Sequence, residues 1–268
     1  MHHVGLYAKP SNQAMAAIGM GVEALGLRPY FRNPAPFGDD QVEGFDLVVV
    51  VGMARQGRVI CDIYSSRGVP VAVVDSPFIL RGQGFFRFCL NCIDWIPDTA
   101  PPDRAKEICL EAHPTPKKKK TDPSGHVLVC GQKAGNCHND IGFEVWKEST
   151  LDGLGRLTDR QIIYRPHPKV RKPDMPIAEA LANAHCMVTY NSSVAYEAFR
   201  LGVPVLCDPC AAYSELANTD ISNIETPGTV SKANRQKLLD RVACAQWTRD
   251  EFATGRPLKF FMEAACGI

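Results

Sequence analysis

Residues 45–52 read Phe-Asp-Leu-Val-Val-Val-Val-Gly, and residues 69–75 read Val-Pro-Val-Ala-Val-Val-Asp. Near-continuous β-branched runs of this length, closed by glycine or a polar residue, are the pattern of strands buried on both faces of a parallel sheet. Residues 56–67 between them read as a helix, and strand, helix, strand with short connections is the signature of a parallel α/β unit. Upstream, residues 3–8 form a short apolar strand. A helix capped by Ser11 follows, with Met15, Ile18, Val22 and Leu25 on its apolar face and Gly26 at its end. Residues 28–32 are a further strand.

Downstream the rhythm breaks. Phe78, Phe85, Phe86, Phe88 and Trp95 crowd among glycines and prolines, which reads as an aromatic-rich loop or lid. Pro97, Pro101, Pro102, Pro114 and Pro116 then lead into the run Lys117–Lys120. This is a solvated linker with a domain boundary near residue 120. The alternation restarts with strands at 126–131, 161–165, 186–190 and 203–207. Helices are expected at 141–148, 177–183 and 194–201, and helical segments at 231–243 and from 250 onward. The expected fold class is α/β, with an N-terminal Rossmann-like domain over 1–120 and a C-terminal one over 121–268.

Composition supports a globular chain: of 268 residues, 45% are apolar and 22% charged. A net charge of +1 argues against a large basic surface for nucleic acid. No apolar run reaches the ~20 residues of a membrane-spanning helix, and the start of the chain lacks the pattern of a secretion signal, so a cytoplasmic location is expected. The cysteines, eleven in all, lie mostly in apolar contexts and are expected to be reduced, buried thiols. The pairs Cys89/Cys92 and Cys207/Cys210 are too far apart to suggest a zinc site, and neither has a redox-motif context.

In open parallel sheets ligands sit beyond the carboxyl ends of the strands, and the unusual polar residues fall there. Gln132 and Lys133 follow one expected strand. Arg165-Pro166-His167-Pro168-Lys169 follows the next. Asn191-Ser192-Ser193 opens the helix after a third, and Asp208 follows the fourth. A helix amino end offers unpaired N–H groups and positive potential, and two small hydroxyls add donors for a phosphate. His167, fixed between two prolines on the strand expected to neighbour that of Ser192 and Ser193, offers an imidazole donor, with Arg165 and Lys169 adding charge. Glu197, one turn beyond Ser193, suits paired ribose hydroxyls. Asp75 ends a buried strand at the corresponding edge of the first half, and position favours it as the catalytic carboxylate, with Asp39 or Asp40 as the alternative.

The segment YRPHPK, residues 164–169, followed by TYNSSVAYEAFRLGVPVLCDP, residues 189–209, resembles the donor half of GT-B glycosyltransferases. It is most similar to the capsular polysaccharide Kdo transferases, and to bacterial sialyltransferases, which carry a His-Pro motif followed by a Ser-Ser motif. The segment AQWTRDEFATG, residues 245–255, resembles the C-terminal segment of the capsule-type enzymes. The resemblance implies two domains whose parallel sheets face across a cleft, with the acceptor on the N-terminal half and the nucleotide-sugar on the C-terminal half. It implies that His167, Ser192 and Ser193 contact the donor phosphates and that Glu197 meets the ribose. The donor set then comprises Gln132, Lys133, Arg165, His167, Lys169, Asn191, Ser192, Ser193 and Glu197.

The first half departs from the sialyltransferase pattern. Residues 39–44, Asp-Asp-Gln-Val-Glu-Gly, are not the acidic pair followed by glycine that supplies the catalytic carboxylate. Asp75 and His167 are accordingly the expected catalytic residues. No cofactor beyond the nucleotide-sugar substrate is expected, and no metal, because no DxD motif occurs. The acceptor is expected to be a hydroxyl of a glycan or of a hydroxylated DNA base. The alternatives are a sugar-nucleotide epimerase and a non-catalytic nucleotide- or glycan-binding protein.

Overall fold

The computed structural model of the chain describes residues 3–9, 11–34, 36–54, 56–98, 103–115, 125–132 and 142–267. In chain order the elements are β1 (His3–Tyr7), α1 (Gln13–Ala24), β2 (Arg28–Arg32), β3 (Leu47–Val51), α2 (Gln56–Ser66), β4 (Val71–Asp75), β5 (Phe85–Leu90) and α3 (Arg104–Glu107). There follow β6 (His126–Cys130), α4 (Phe143–Leu157), β7 (Ile162–Arg165), α5 (Ile177–Ala182), β8 (Ala184–Thr189), α6 (Ala195–Leu201) and β9 (Val205–Cys207). The last elements are α7 (Lys232–Cys244), β10 (Gln246–Thr248), α8 (Arg249–Ala253) and α9 (Arg256–Phe261). No helix among the described residues is long and apolar enough to cross a membrane.

The chain divides into two compact α/β units: Met1–Arg104 with Arg241–Ile268, and Ala105–Asp240. In the first, the sheet order is β10-β5-β4-β3-β1-β2. Strands β2, β1, β3 and β4 are parallel, while β5 runs antiparallel to β4 and β10. The β-branched run of β3 lies between β1 and β4, and Leu47, Val48, Val49 and Val50 have no exposed surface. Helix α1 is capped by Asn12, one residue past the expected Ser11. The Asn12 side chain accepts the Met15 N–H at 3.0 Å, and the chain turns out of the helix at Gly26 with φ 73°.

Two sequence expectations change here. Residues 85–90 form a strand rather than part of a loop or lid. Phe88 and Cys89 are buried, and Arg87 turns back to Asp75 across the β4–β5 pair at 3.3 Å. The division also differs from a single boundary near residue 120, because the chain beyond Arg241 returns to the first unit. There β10 extends the sheet, and Trp247, Phe252, Leu258 and Phe261 join Val4, Leu6, Ile18 and Val22 in one core. Helix α8 lies close against α1. A Cβ on Gly21 would stand 2.0 Å from the Phe252 carbonyl oxygen, so only glycine permits this approach.

The return is fastened by Arg104, whose side chain is 2% exposed. Its guanidinium donates to both Glu251 carboxylate oxygens, at 2.5 and 3.0 Å, and to the Gln246 carbonyl at 2.7 Å. It also lies over the Trp247 ring at 4.2 Å. Burial opposes ionisation of Glu251, but Arg104 and the Thr248 N–H more than offset this and hold the carboxyl below its ordinary value.

Breaking a buried pair from one side leaves an uncompensated charge, so Arg104→Ala is expected to cost about 3–5 kcal/mol in a urea titration. Because the folded Glu251 titrates below its reference value of 4.5, its stabilisation is complete above that pH and is lost as pH falls through the depressed value. Glu251→Gln should therefore flatten the acid limb of the stability profile while lowering stability at neutral pH.

Candidate functional site

The second unit carries a four-stranded, fully parallel sheet in the order β7-β6-β8-β9. Apart from one shift between His126 and Val127 in the β6–β8 pair, its register is regular. Arg165 pairs with Cys130, Cys130 with Thr189, and Thr189 with Cys207, so the four strands end in one row. The segments holding Gln132, His167, Asn191-Ser192-Ser193 and Asp208 therefore leave the sheet at a common edge. Lys133 lies outside the described residues.

The sequence reading made the His-Pro strand and the Ser-Ser strand neighbours. The structure places β6 between them, because β6 pairs with both β7 and β8. Its side chains Val127, Leu128 and Val129 have no exposed surface. The two loops are thus two inter-strand spacings apart, about 10 Å. Gln132 bridges part of that span. It is buried, and its side-chain oxygen accepts the Asn191 N–H at 3.4 Å.

Beyond β7, Pro166 is buried and His167 is half-buried. The His167 carbonyl accepts the N–H groups of Val170 and Arg171, at 2.8 and 3.1 Å, closing a tight turn. Within it the His167 Nδ1 accepts the Lys169 N–H at 3.1 Å. A nitrogen that accepts carries no proton, so the neutral ring holds its proton on Nε2 and presents that atom as donor. The Lys169 backbone thus orients the imidazole, while its own ammonium extends from an exposed residue.

Arg165 ends β7, and its Nη1 is buried with no hydrogen-bond partner among the described residues. A buried cationic donor left in this state is costly unless a ligand takes it up. It faces Cys130, whose thiol burial pushes up to about 12, with Arg165 pulling the other way. Burial likewise raises Cys61, Cys89, Cys92 and Cys207, so these thiols stay protonated and unreactive at neutral pH.

Helix α6 begins at Ala195, one residue later than expected, and has seven residues. Its first N–H groups are already used: Ala195 donates to the Ser192 carbonyl at 3.1 Å and Tyr196 to the Ser193 carbonyl at 3.2 Å. The Ser192 hydroxyl accepts the Val194 N–H at 3.5 Å. An anion here meets a short turn bearing two hydroxyls rather than an open helix end. Glu197 lies in the first turn of α6, 3.9 Å from Arg200. Tyr213 was not singled out from sequence, yet its hydroxyl donates to the Ser192 carbonyl at 2.9 Å and fixes this turn. Only the strand order reveals that contact; nothing in the local sequence signals it.

In the first unit, Asp75 stands at the carboxyl end of β4 as expected, with its side chain 31% exposed. One carboxylate oxygen accepts the Ser76 N–H at 2.6 Å, and the other pairs with Arg87. Asp39 is held by Arg67 at 2.9 Å, in the connection that enters the amino end of β4. Asp40 lies in the same short 3-10 turn as Asp39.

No protein-family model matches this sequence, and no curated protein matches it. Among solved structures, the chain is similar to the KpsC beta Kdo 2,7 transferase of Thermosulfurimonas dismutans. The TM-score is 0.51 at 14% identity, over 96% of this chain and 99% of that one. The fold is GT-B-like. The likeness to capsular Kdo transferases read from the sequence therefore holds at the level of the fold. The beta Kdo 2,4 transferase of the same organism aligns over 90% of this chain and 97% of that one, with a TM-score of 0.49 at 12% identity. The UDP-GlcNAc 2-epimerase of Methanocaldococcus jannaschii, solved with UDP-GlcNAc and UDP, covers 97% of this chain and 99% of its own, with a TM-score of 0.35 at 12% identity.

Nitrogen-15 NMR of the imidazole rings checks the His167 geometry directly: Nε2 is expected to be protonated and Nδ1 bare. The reverse tautomer contradicts the turn described above.

Proposed function

We propose that the second unit binds a nucleotide-sugar by its phosphates at the common strand edge, and that the protein transfers the sugar to a hydroxyl acceptor. The observation that carries this reading is the orphaned Nη1 of Arg165, a buried cationic donor beside a histidine oriented to donate. The two hydroxyls of Ser192 and Ser193 emerge from the same row of strand ends. Arginine, an Nε2–H and serine hydroxyls are donors suited to phosphate oxygens. Gln132, Lys133, Lys169 and Asn191 complete the proposed donor set, and Glu197 is assigned to the ribose hydroxyls. The GT-B-like fold is compatible with this chemistry and does not by itself establish it.

In the proposed step the acceptor oxygen bonds to the anomeric carbon and the bond from that carbon to the donor phosphate oxygen breaks. The nucleotide leaves with the electron pair. His167 and Arg165 stabilise the charge that grows on the leaving oxygen, and Asp75 is assigned to take the acceptor proton. The acceptor is a glycan or a hydroxylated DNA base. No metal is assigned to the reaction, and activity should survive a chelator. Loss on chelation with recovery in magnesium or manganese would refute that part.

The first test is a thermal-shift panel of CMP, UDP, GDP, ADP and TDP, in which one base is expected to raise the melting temperature. Against that nucleotide, Arg165→Met should weaken binding about tenfold or more, the scale of a lost hydrogen bond to a charged group. The ligand-free variant should keep or gain stability, because it removes an unsatisfied buried charge. A variant that unfolds without losing affinity marks Arg165 as structural.

His167→Gln, which preserves a donor near the Nε2 position, should retain affinity better than His167→Asn. Asp75→Asn should abolish transfer while nucleotide binding survives. Release of an epimer with no acceptor present would replace transfer by the epimerase reading.

A further inference from the structure

We infer that the second unit holds a separate site for an uncharged sugar, on the side of the sheet covered by α4. A cavity of about 420 Å³ lies where α4 meets the carboxyl ends of β8 and β9, and its walls include Trp146, Thr150, Gly153, Thr189, Asp208 and Asp220. That volume is within the range of small-molecule sites. None of Arg165, His167, Ser192, Ser193 or Glu197 lines it, and no lysine, arginine or histidine among the described residues does.

The lining states the ligand chemistry. Thr150 is only 7% exposed, faces the cavity and makes no hydrogen bond among the described residues. Its hydroxyl can donate to, and accept from, a ligand in the cavity. The Asp208 carboxylate is oriented through one oxygen, which accepts the N–H of Cys210 at 3.0 Å, and Asp220 accepts both the N–H of Ser222, at 2.9 Å, and its side-chain hydroxyl. The second oxygen of Asp208 can accept from a ligand hydroxyl. Trp146 forms an aromatic wall, held by stacking on Phe143 and by an edge contact with Tyr190, both at 5.7 Å between ring centroids.

An indole wall suits the C–H face of a pyranose, while fixed carboxylates and hydroxyls suit its rim of hydroxyl groups. Two carboxylates without a cation repel phosphate or carboxylate groups, which separates this site from the proposed nucleotide site. The ligand class is a neutral sugar unit, as found along an uncharged glycan. The inference goes beyond nucleotide-sugar binding and does not depend on it.

The test uses the full chain without nucleotide. Glucose, N-acetylglucosamine, maltose and chitobiose are titrated by saturation-transfer NMR and tryptophan fluorescence, with glucose 6-phosphate as the charged control. At least one neutral sugar is expected to bind, and glucose 6-phosphate to bind about tenfold more weakly or not at all.

Gly153→Leu is the deciding variant. A Cβ at Gly153 meets nothing within 4 Å, and leucine favours the helix over glycine, so the variant folds while its side chain fills the cavity. It should lose sugar binding at least about tenfold and leave any nucleotide thermal shift unchanged; Thr150→Val and Asp208→Asn should weaken the sugar alone. Failure of all four neutral sugars to bind, or sugar binding by Gly153→Leu at wild-type strength, overturns the proposal. Neither result bears on the nucleotide reading, which is tested by the separate nucleotide panel.

Discussion

Parallel pairing about β6 governs the second unit. An inner parallel strand whose two faces are covered, as β6 is, can offer polar groups only at its ends. Because β6, β7, β8 and β9 are paired in parallel and stay in register at their carboxyl ends, every polar segment that leaves a carboxyl end leaves at one edge. Shifting β7 by one residue would turn Arg165 toward α4, where Tyr164 now packs under Lys147 at 5.8 Å. The apolar sequence of the strands therefore places the charged chemistry, although none of those apolar residues takes part in it.

The first unit solves a different problem. Its parallel strands continue into β5, which runs the other way, and then into β10, which arrives after the chain has built the whole second unit. Such a return closes a long loop and needs strong anchoring contacts. The anchors are apolar contact across α1, made close by Gly21, and one buried arginine that joins Glu251, a backbone carbonyl and an indole face. The segment 245–255, which resembles the capsule-type C-terminus, thereby acquires a physical reason for its composition. Gln246 also accepts the Ile79 N–H at 2.8 Å, Trp247 covers the core, and Thr248 with Glu251 caps α8.

Much of this was legible in the sequence. The β-branched runs located β3, β4, β6 and β8, since burial on both faces leaves a continuous apolar signature. The rule that ligands gather at carboxyl ends located His167, Arg165 and the paired serines. What remained hidden depends on which segments become neighbours. The strand at 85–90 was masked by its phenylalanines and nearby glycines. The position of β6 between the two motif loops, and the contact of Tyr213 with Ser192, follow from sheet order and leave no local trace. Asp75 was read as a candidate base from position alone, whereas its bonds to Arg87 and Ser76 emerge only from the pairing of β4 with β5.

Two arginines of the second unit differ in how their burial is compensated. Arg235 is 1% exposed and has no carboxylate partner among the described residues. Burial lowers its pKa. Its guanidinium nonetheless donates to the carbonyls of Val230, Phe199 and His113 at 3.1, 2.8 and 3.0 Å, and to the Thr115 hydroxyl at 2.9 Å. The Phe199 carbonyl lies near the carboxyl end of α6, where a positive charge is favoured. Arg235 is thus satisfied by the fold itself and clamps α6 from behind. Arg165, on the same unit, has a buried nitrogen that the fold leaves without an acceptor. Among the described residues the bonds that offset burial are present for Arg235 and missing at one nitrogen of Arg165, which is why Arg165 rather than Arg235 is proposed to meet an anion at the strand edge.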